Sequence, residues 1–245
     1  MKKIILVLIP LVGFVCGAQA HALWLEANPQ GQIGKSHAVK VYFGEFSEGV
    51  LESVEGESFE FVKKFKVWVM DPDGRKSEIR VTPSENYYNA SFTPKKNGTY
   101  TILLNNDEIE VMDYSEYNYG IFKTHYHSVA KVVVGEVNSQ TVSSNQKGIT
   151  LVDLSAEKPS TNGEATLQVV YKGTPLADTE VTVFVADGWA KKLTTDKKGK
   201  IALQLPWAVQ YFVEVSKKEE VPGEYKGTPY EFVYHCATYS IDLSI

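Results

Sequence analysis

Five histidines stand in the 245-residue sequence, at positions 21, 37, 125, 127 and 235. Their placing is the first chemical signal. His125 and His127 are spaced i, i+2, so on a strand both rings lie on one face, roughly 6–7 Å apart at the backbone. That is close enough to share a metal ion. His235 falls in the last strand-like segment, and His37 just precedes an early one. His21 matters for another reason. Lys2 and Lys3, an apolar run over 4–15 and the small-x-small Ala18-Gln19-Ala20 form a secretory signal, with cleavage expected after Ala20. Cleavage there makes His21 the first residue. Its α-amine and ring Nδ1 then close a six-membered chelate on one ion. Such groups, when free, titrate near about 7.7 and 6.5, so both offer lone pairs near neutral pH. Nitrogen ligation suits Ni²⁺ or Cu²⁺, and ligand type alone does not choose between them. The candidate metal ligands are therefore His21, His125, His127 and His235, with Glu26, Met112 and Asp113 as auxiliaries.

Other chemistries leave no trace. The sequence has no GxSxG, HExxH, phosphate loop or dinucleotide fingerprint. Cys236 adjoins His235, but neighbours on a strand point to opposite faces, so it reads as a buried, inert thiol rather than a nucleophile. Signal removal takes Cys16 away and leaves Cys236 without an internal disulfide partner. The expectation is a binding protein, not an enzyme. One enzymatic arrangement is conceivable, a copper oxygenase with an N-terminal histidine brace; it would draw on His21, His127 and the pair Tyr117 and Tyr119. The tyrosine-rich run 114–120 reads first as rim packing and second as the wall of a cleft.

These residues must be held by a framework, and composition bounds it. Basic residues number 25 and acidic 30, for a net charge of −5, which argues against nucleic acid as a partner. Mean hydropathy is −0.19, and the single long apolar run is too short to cross a bilayer. The mature chain, residues 21–245, is thus expected to be periplasmic, without a membrane span.

Beyond residue 21 the apolar pattern is largely of period 2. Segments 39–43, 65–70, 77–82, 89–92, 98–104 and 128–134 read as strands, as do 165–171, 179–185, 200–205, 210–216 and 232–243. Turns rich in Gly, Pro and Asp separate them, such as Asp71-Pro72-Asp73-Gly74. The acidic stretch 45–64 fits poorly and reads as a loop or short helix. The Ser-, Pro- and Gly-containing segment 155–163 is the best boundary. The expected architecture is all-β: a signal peptide over 1–20, then two antiparallel immunoglobulin-like or transthyretin-like β-sandwich domains over 21–154 and 164–245.

A family resemblance rests on ordered blocks. HALWLE at 21–26, VYFGEF at 41–46 and HYHSVAKVVVGEV at 125–137 are followed by GTPLADTEVTVF at 173–184, TTDKKGKIALQL at 194–205, QYFVEVSKK at 210–218 and YHCATYSI at 234–241. Together they resemble an exported bacterial family of unknown domain function associated with nickel uptake, NikM-like or NikK-like periplasmic components. The turns at 173–176 and 195–199 resemble those of the transthyretin-like, carboxypeptidase-regulatory sandwich. The resemblance implies a periplasmic protein that binds a transition metal, often through the N-terminal histidine, and serves a membrane metal transporter as a soluble partner. A copper carrier and a metal-free structural or docking module are the alternatives.

Overall fold

The computed structural model describes residues 21–136, 145–185 and 188–244. The expected signal peptide lies outside the described residues. The principal strands are β1 Ala22–Ala27, β2 His37–Glu45, β3 Val50–Leu51, β4 Lys66–Met70, β5 Lys76–Ile79, β6 Tyr88–Phe92, β7 Gly98–Asn106 and β8 Gly120–Val134. After them come β9 Ile149–Asp153, β10 Gly163–Tyr171, β11 Glu180–Val185, β12 Trp189–Thr194, β13 Lys200–Leu205, β14 Gln210–Glu219 and β15 Phe232–Asp242. The architecture is all-β, as the alternation predicts. The ill-fitting stretch 45–64 folds as a 3-10 turn, the short β3 and a single helical turn at Glu57–Glu60.

A central sheet runs in the order β12-β11-β14-β15-β8-β7-β4-β5. Its middle is a seam between the long β8 and β15, which run parallel with His125 opposite His235 and Ser128 opposite Thr238. The other pairings along this path are antiparallel. Alternation sends successive residues to opposite faces, and both faces are covered. Tyr126, Ala130, Ile102, Phe212 and Cys236 belong to one core, which includes β1 and β2. Val129, Leu103, Val213, Ala237 and Tyr239 belong to the other, beneath β9, β10 and β13. The result is three β-layers with the central sheet shared. Because β8 is covered twice, its second half reads as an almost unbroken apolar run.

The boundary at 155–163 is the connection between β9 and β10, which pair antiparallel across it. The segments 21–154 and 164–245 therefore meet at that hairpin and at the seam, and β1 also touches β15 through Leu23 and Thr238.

β1 is the edge strand of the sheet that forms the first layer. One edge pairs with β2, with Ala22 opposite Gly44. Toward the seam, the Leu25 N–H donates to Ser128 Oγ at 3.0 Å, and Thr238 donates to the Leu23 carbonyl at 3.2 Å. Side-chain hydroxyls thus satisfy backbone groups that an uncovered edge would leave unpaired.

Candidate metal centre

His21 sits at the entry to β1, and the β1–β2 register fixes its neighbours. With Ala22 opposite Gly44, His21 comes beside Glu45 at the end of β2. The chain then doubles back. Gly44 has φ +152°, and a Cβ there would collide with the Val50 carbonyl, so a side chain is excluded where β3 returns along β2. That return pairs Gly44 with Leu51, and the Glu52 N–H donates to the Phe43 carbonyl at 2.9 Å. Glu45 and Glu52 are thereby brought to the same imidazole.

The geometry is asymmetric. Nε2 lies 2.6 Å from Glu52 Oε1, while Nδ1 faces Glu45 Oε1 at 3.6 Å. The ring rests against Phe43 at 5.4 Å between centroids, and the side chain keeps 35% of its surface exposed. The Tyr126 hydroxyl donates to the His21 carbonyl at 2.9 Å, anchoring the residue to the central sheet. An ionised carboxylate only accepts hydrogen bonds, so Glu52 selects the tautomer with the proton on Nε2. The Nδ1 lone pair is then directed toward Glu45. Two donors each about 2.1 Å from one ion lie about 3–3.4 Å apart, close to the separation of Nδ1 and Glu45. A carboxylate behind the far ring nitrogen is also the usual support of a metal-ligating histidine.

The other predicted ligands lie elsewhere. Tyr126 faces His21, so His125 and His127 point through the opposite face of the central sheet, as His235 does. His125 and His235 are in contact, with centroids 5.1 Å apart and rings at 85°. His235 Nε2 meets Glu219 Oε2 at 2.9 Å. Burial pushes the Glu219 carboxyl up, but hydrogen bonds from Lys172 and His235 outweigh it and hold it at about 2. Burial, with repulsion from His235 and Lys123, lowers His125 to about 4. Burial, with Lys76, lowers the enclosed His127 to about 3. The structure thus brings His125 and His235 together and separates both, with His127, from His21. The alternative of a copper brace from His21 and His127 is not assembled.

The auxiliaries are otherwise occupied. Glu26 accepts from the Trp24 indole at 2.9 Å, and Asp113 from the Ser115 amide and hydroxyl. Met112 pairs with Phe122 near the start of β8. Cys236 is buried, and burial raises its thiol well above the usual range. Among the described residues no three His, Cys, Asp or Glu side chains converge on one metal position. His21 Nδ1 and Glu45 Oε1 are two candidate donors; an α-amine at His21, expected from signal cleavage, would be a third.

Sequence reasoning missed Glu45 and Glu52. Glu45 stands inside the block VYFGEF, where the glycine beside it signals a forced return of the chain. Glu52 has no local signal, because only that return brings it to His21.

A family model described as "Domain of unknown function (DUF4198)" matches residues 18–219. No curated protein matches the chain. Among solved structures, a Salmonella alpha-2-macroglobulin mutant aligns with TM-score 0.31 and 12% identity, over 91% of this chain and 15% of that one. The same Salmonella protein reacted with methylamine gives 0.30 and 11%, with the same coverage. A DUF4785 family protein from Legionella pneumophila gives 0.27 and 11%, over 90% of this chain and 55% of that one. The chain thus spans about a seventh of the length of the macroglobulins it matches.

Proposed function

The chain belongs to the DUF4198 family, and from that premise we propose a periplasmic protein that captures a transition metal, nickel first and copper as the close rival, for delivery to a membrane transporter. The observation that carries this reading is the setting of His21: Glu52 on Nε2, Glu45 facing Nδ1, and the residue pinned through its own carbonyl by Tyr126. After cleavage, His21 offers amine and imidazole, and Glu45 adds an oxygen. Glu52 orients the ring and, by accepting its N–H, raises the basicity of the opposite nitrogen. The exposed flank of His21 lets the ion enter and leave, as a carrier requires. The ordered sequence blocks support nickel, through their resemblance to nickel-uptake components. Among the described residues no helix is long and apolar enough to cross a membrane, which fits a soluble partner of a transporter.

Calorimetric titration with Ni²⁺ of protein beginning at His21, of a form with one Gly before His21, of His21→Ala and of Glu52→Gln tests the proposal. The Gly extension turns the amine into an amide, so at least about a tenfold loss, about 1.4 kcal/mol, is expected. His21→Ala loses at least as much, and Glu52→Gln loses about 10- to 100-fold. Equal affinity in all four proteins refutes the site. Absence of binding in all four favours the metal-free docking module.

A further inference from the structure

The first layer covers only part of the central sheet. Beyond β15, the faces of β14, β11 and β12 on that side are roofed mainly by the turn after β2, and a cleft of about 300 Å³ remains between them. That volume is in the range of small-molecule sites. Its walls are aromatic. Phe46 and Phe212 stack at 4.9 Å and 12°, Phe184 lies 6.0 Å from Phe212, and Tyr234 closes one side.

Into this setting β14 directs Glu214. The strand alternates, so Phe212, Glu214 and Ser216 face the cleft while Tyr211, Val213 and Val215 enter the opposite core. Glu214 has neither a hydrogen bond nor an ion pair among the described residues, and burial alone raises its carboxyl to about 7. The neighbouring cation does not serve it, because Lys192 is paired with Glu180 at 2.8 Å. The Ser216 hydroxyl is engaged with Tyr234. Glu45 adds a second carboxylate to the lining. An unpartnered carboxyl among ring faces is costly unless a cation joins it, and those same faces attract organic cations.

We propose that this cleft binds small organic ammonium compounds, with Glu214 as the counter-charge and Phe46, Phe184 and Phe212 as the walls around the ligand's apolar body. The site is separate from the metal centre, although Glu45 borders both.

The test titrates phenethylammonium and its neutral counterpart 2-phenylethanol into the full mature protein by calorimetry. The ammonium compound should bind saturably and at least about tenfold more tightly than the alcohol. Glu214→Gln should reduce its affinity to that of the alcohol while leaving the thermal transition in place. Ala190→Trp, which fills the cleft from exposed β12, should abolish both. Ionisation of Glu214 on binding near neutral pH should release protons, read as a dependence of the binding heat on the buffer's ionisation enthalpy. His21→Ala should change ammonium affinity by less than about twofold, so this site stands or falls apart from the metal proposal. Equal affinity for the two compounds, unchanged binding in Glu214→Gln, or no saturation at millimolar concentration overturns it.

Discussion

The hydroxyl of Tyr126 donates to the carbonyl of His21 at 2.9 Å, joining the first described residue to the middle of the longest strand. The bond fixes the backbone from which both proposed nitrogen donors of His21 project. Tyr126→Phe keeps the ring and deletes the donor. A stability loss of about 1 kcal/mol is expected in urea unfolding. Ni²⁺ affinity should fall about three- to tenfold, because the chelating residue gains freedom; an unchanged affinity would show that the anchor is irrelevant to the site.

Asp153 ties the two halves of the chain together. Its Oδ2 accepts the Tyr239 hydroxyl at 2.6 Å and lies 3.2 Å from the Lys131 ammonium, and both charged side chains are buried. Removing one partner strands the other's charge, so Asp153→Ala should cost about 3–5 kcal/mol. The double variant Asp153→Leu with Lys131→Met should recover much of that loss. Denaturant titrations of wild type, Asp153→Ala, Asp153→Leu, Lys131→Met and the double variant give the comparison, and additive losses would contradict it.

Acid should unfold the protein through its enclosed histidines. His125 and His127 titrate at about 4 and about 3 in the folded chain and near about 6.5 when unfolded. The unfolded state therefore takes up protons first as pH falls. Stability from these groups is complete above about 6.5 and is lost progressively down to the folded values, at up to about 2.7 kcal/mol per pH unit where both contribute. His127→Phe should roughly halve that slope between pH 6 and 4.5. Urea midpoints across this range measure it, and a slope identical to wild type refutes the assignment.

Residues 164–245 form a complete run of strands but an incomplete set of layers. Alone they lack β9 and leave the β15 edge that pairs with β8 uncovered. The fragment should show no cooperative thermal transition by itself, and adding residues 21–154 should restore one. A sharp melt of the isolated fragment would mean that the sequence boundary is also a folding boundary.

Most strands were legible because alternation survives wherever one face is polar, as in β10, β13 and β14. β1 was not, since Ala22, Leu23, Trp24 and Leu25 are all buried and the segment has no polar face to mark its period. The first half of β8 was hidden by Lys123, Thr124 and His127, polar residues in an enclosed strand. Alternation assigns faces but not partners, so the parallel seam had no signature, nor did the contact of His125 with His235. The same rule correctly placed Cys236 opposite His235. At the proposed metal centre the histidine was legible from its distance to the expected signal, whereas Glu52 depended on a hairpin that period 2 does not encode.

The parallel seam also has a kinetic consequence. Ser128 and Thr238 bond across it although 110 residues separate them, so the central sheet joins only after nearly the whole chain has been made. Contacts of such long range slow folding, because the loop must close before the pairing repays it. Until β15 arrives, β8 presents an open edge over Phe122–Ala130, a template for pairing with another chain. A cell making this protein must therefore keep its first half from aggregating until synthesis is nearly complete, and overproduction should accumulate it in inclusion bodies more readily than its folded stability would suggest.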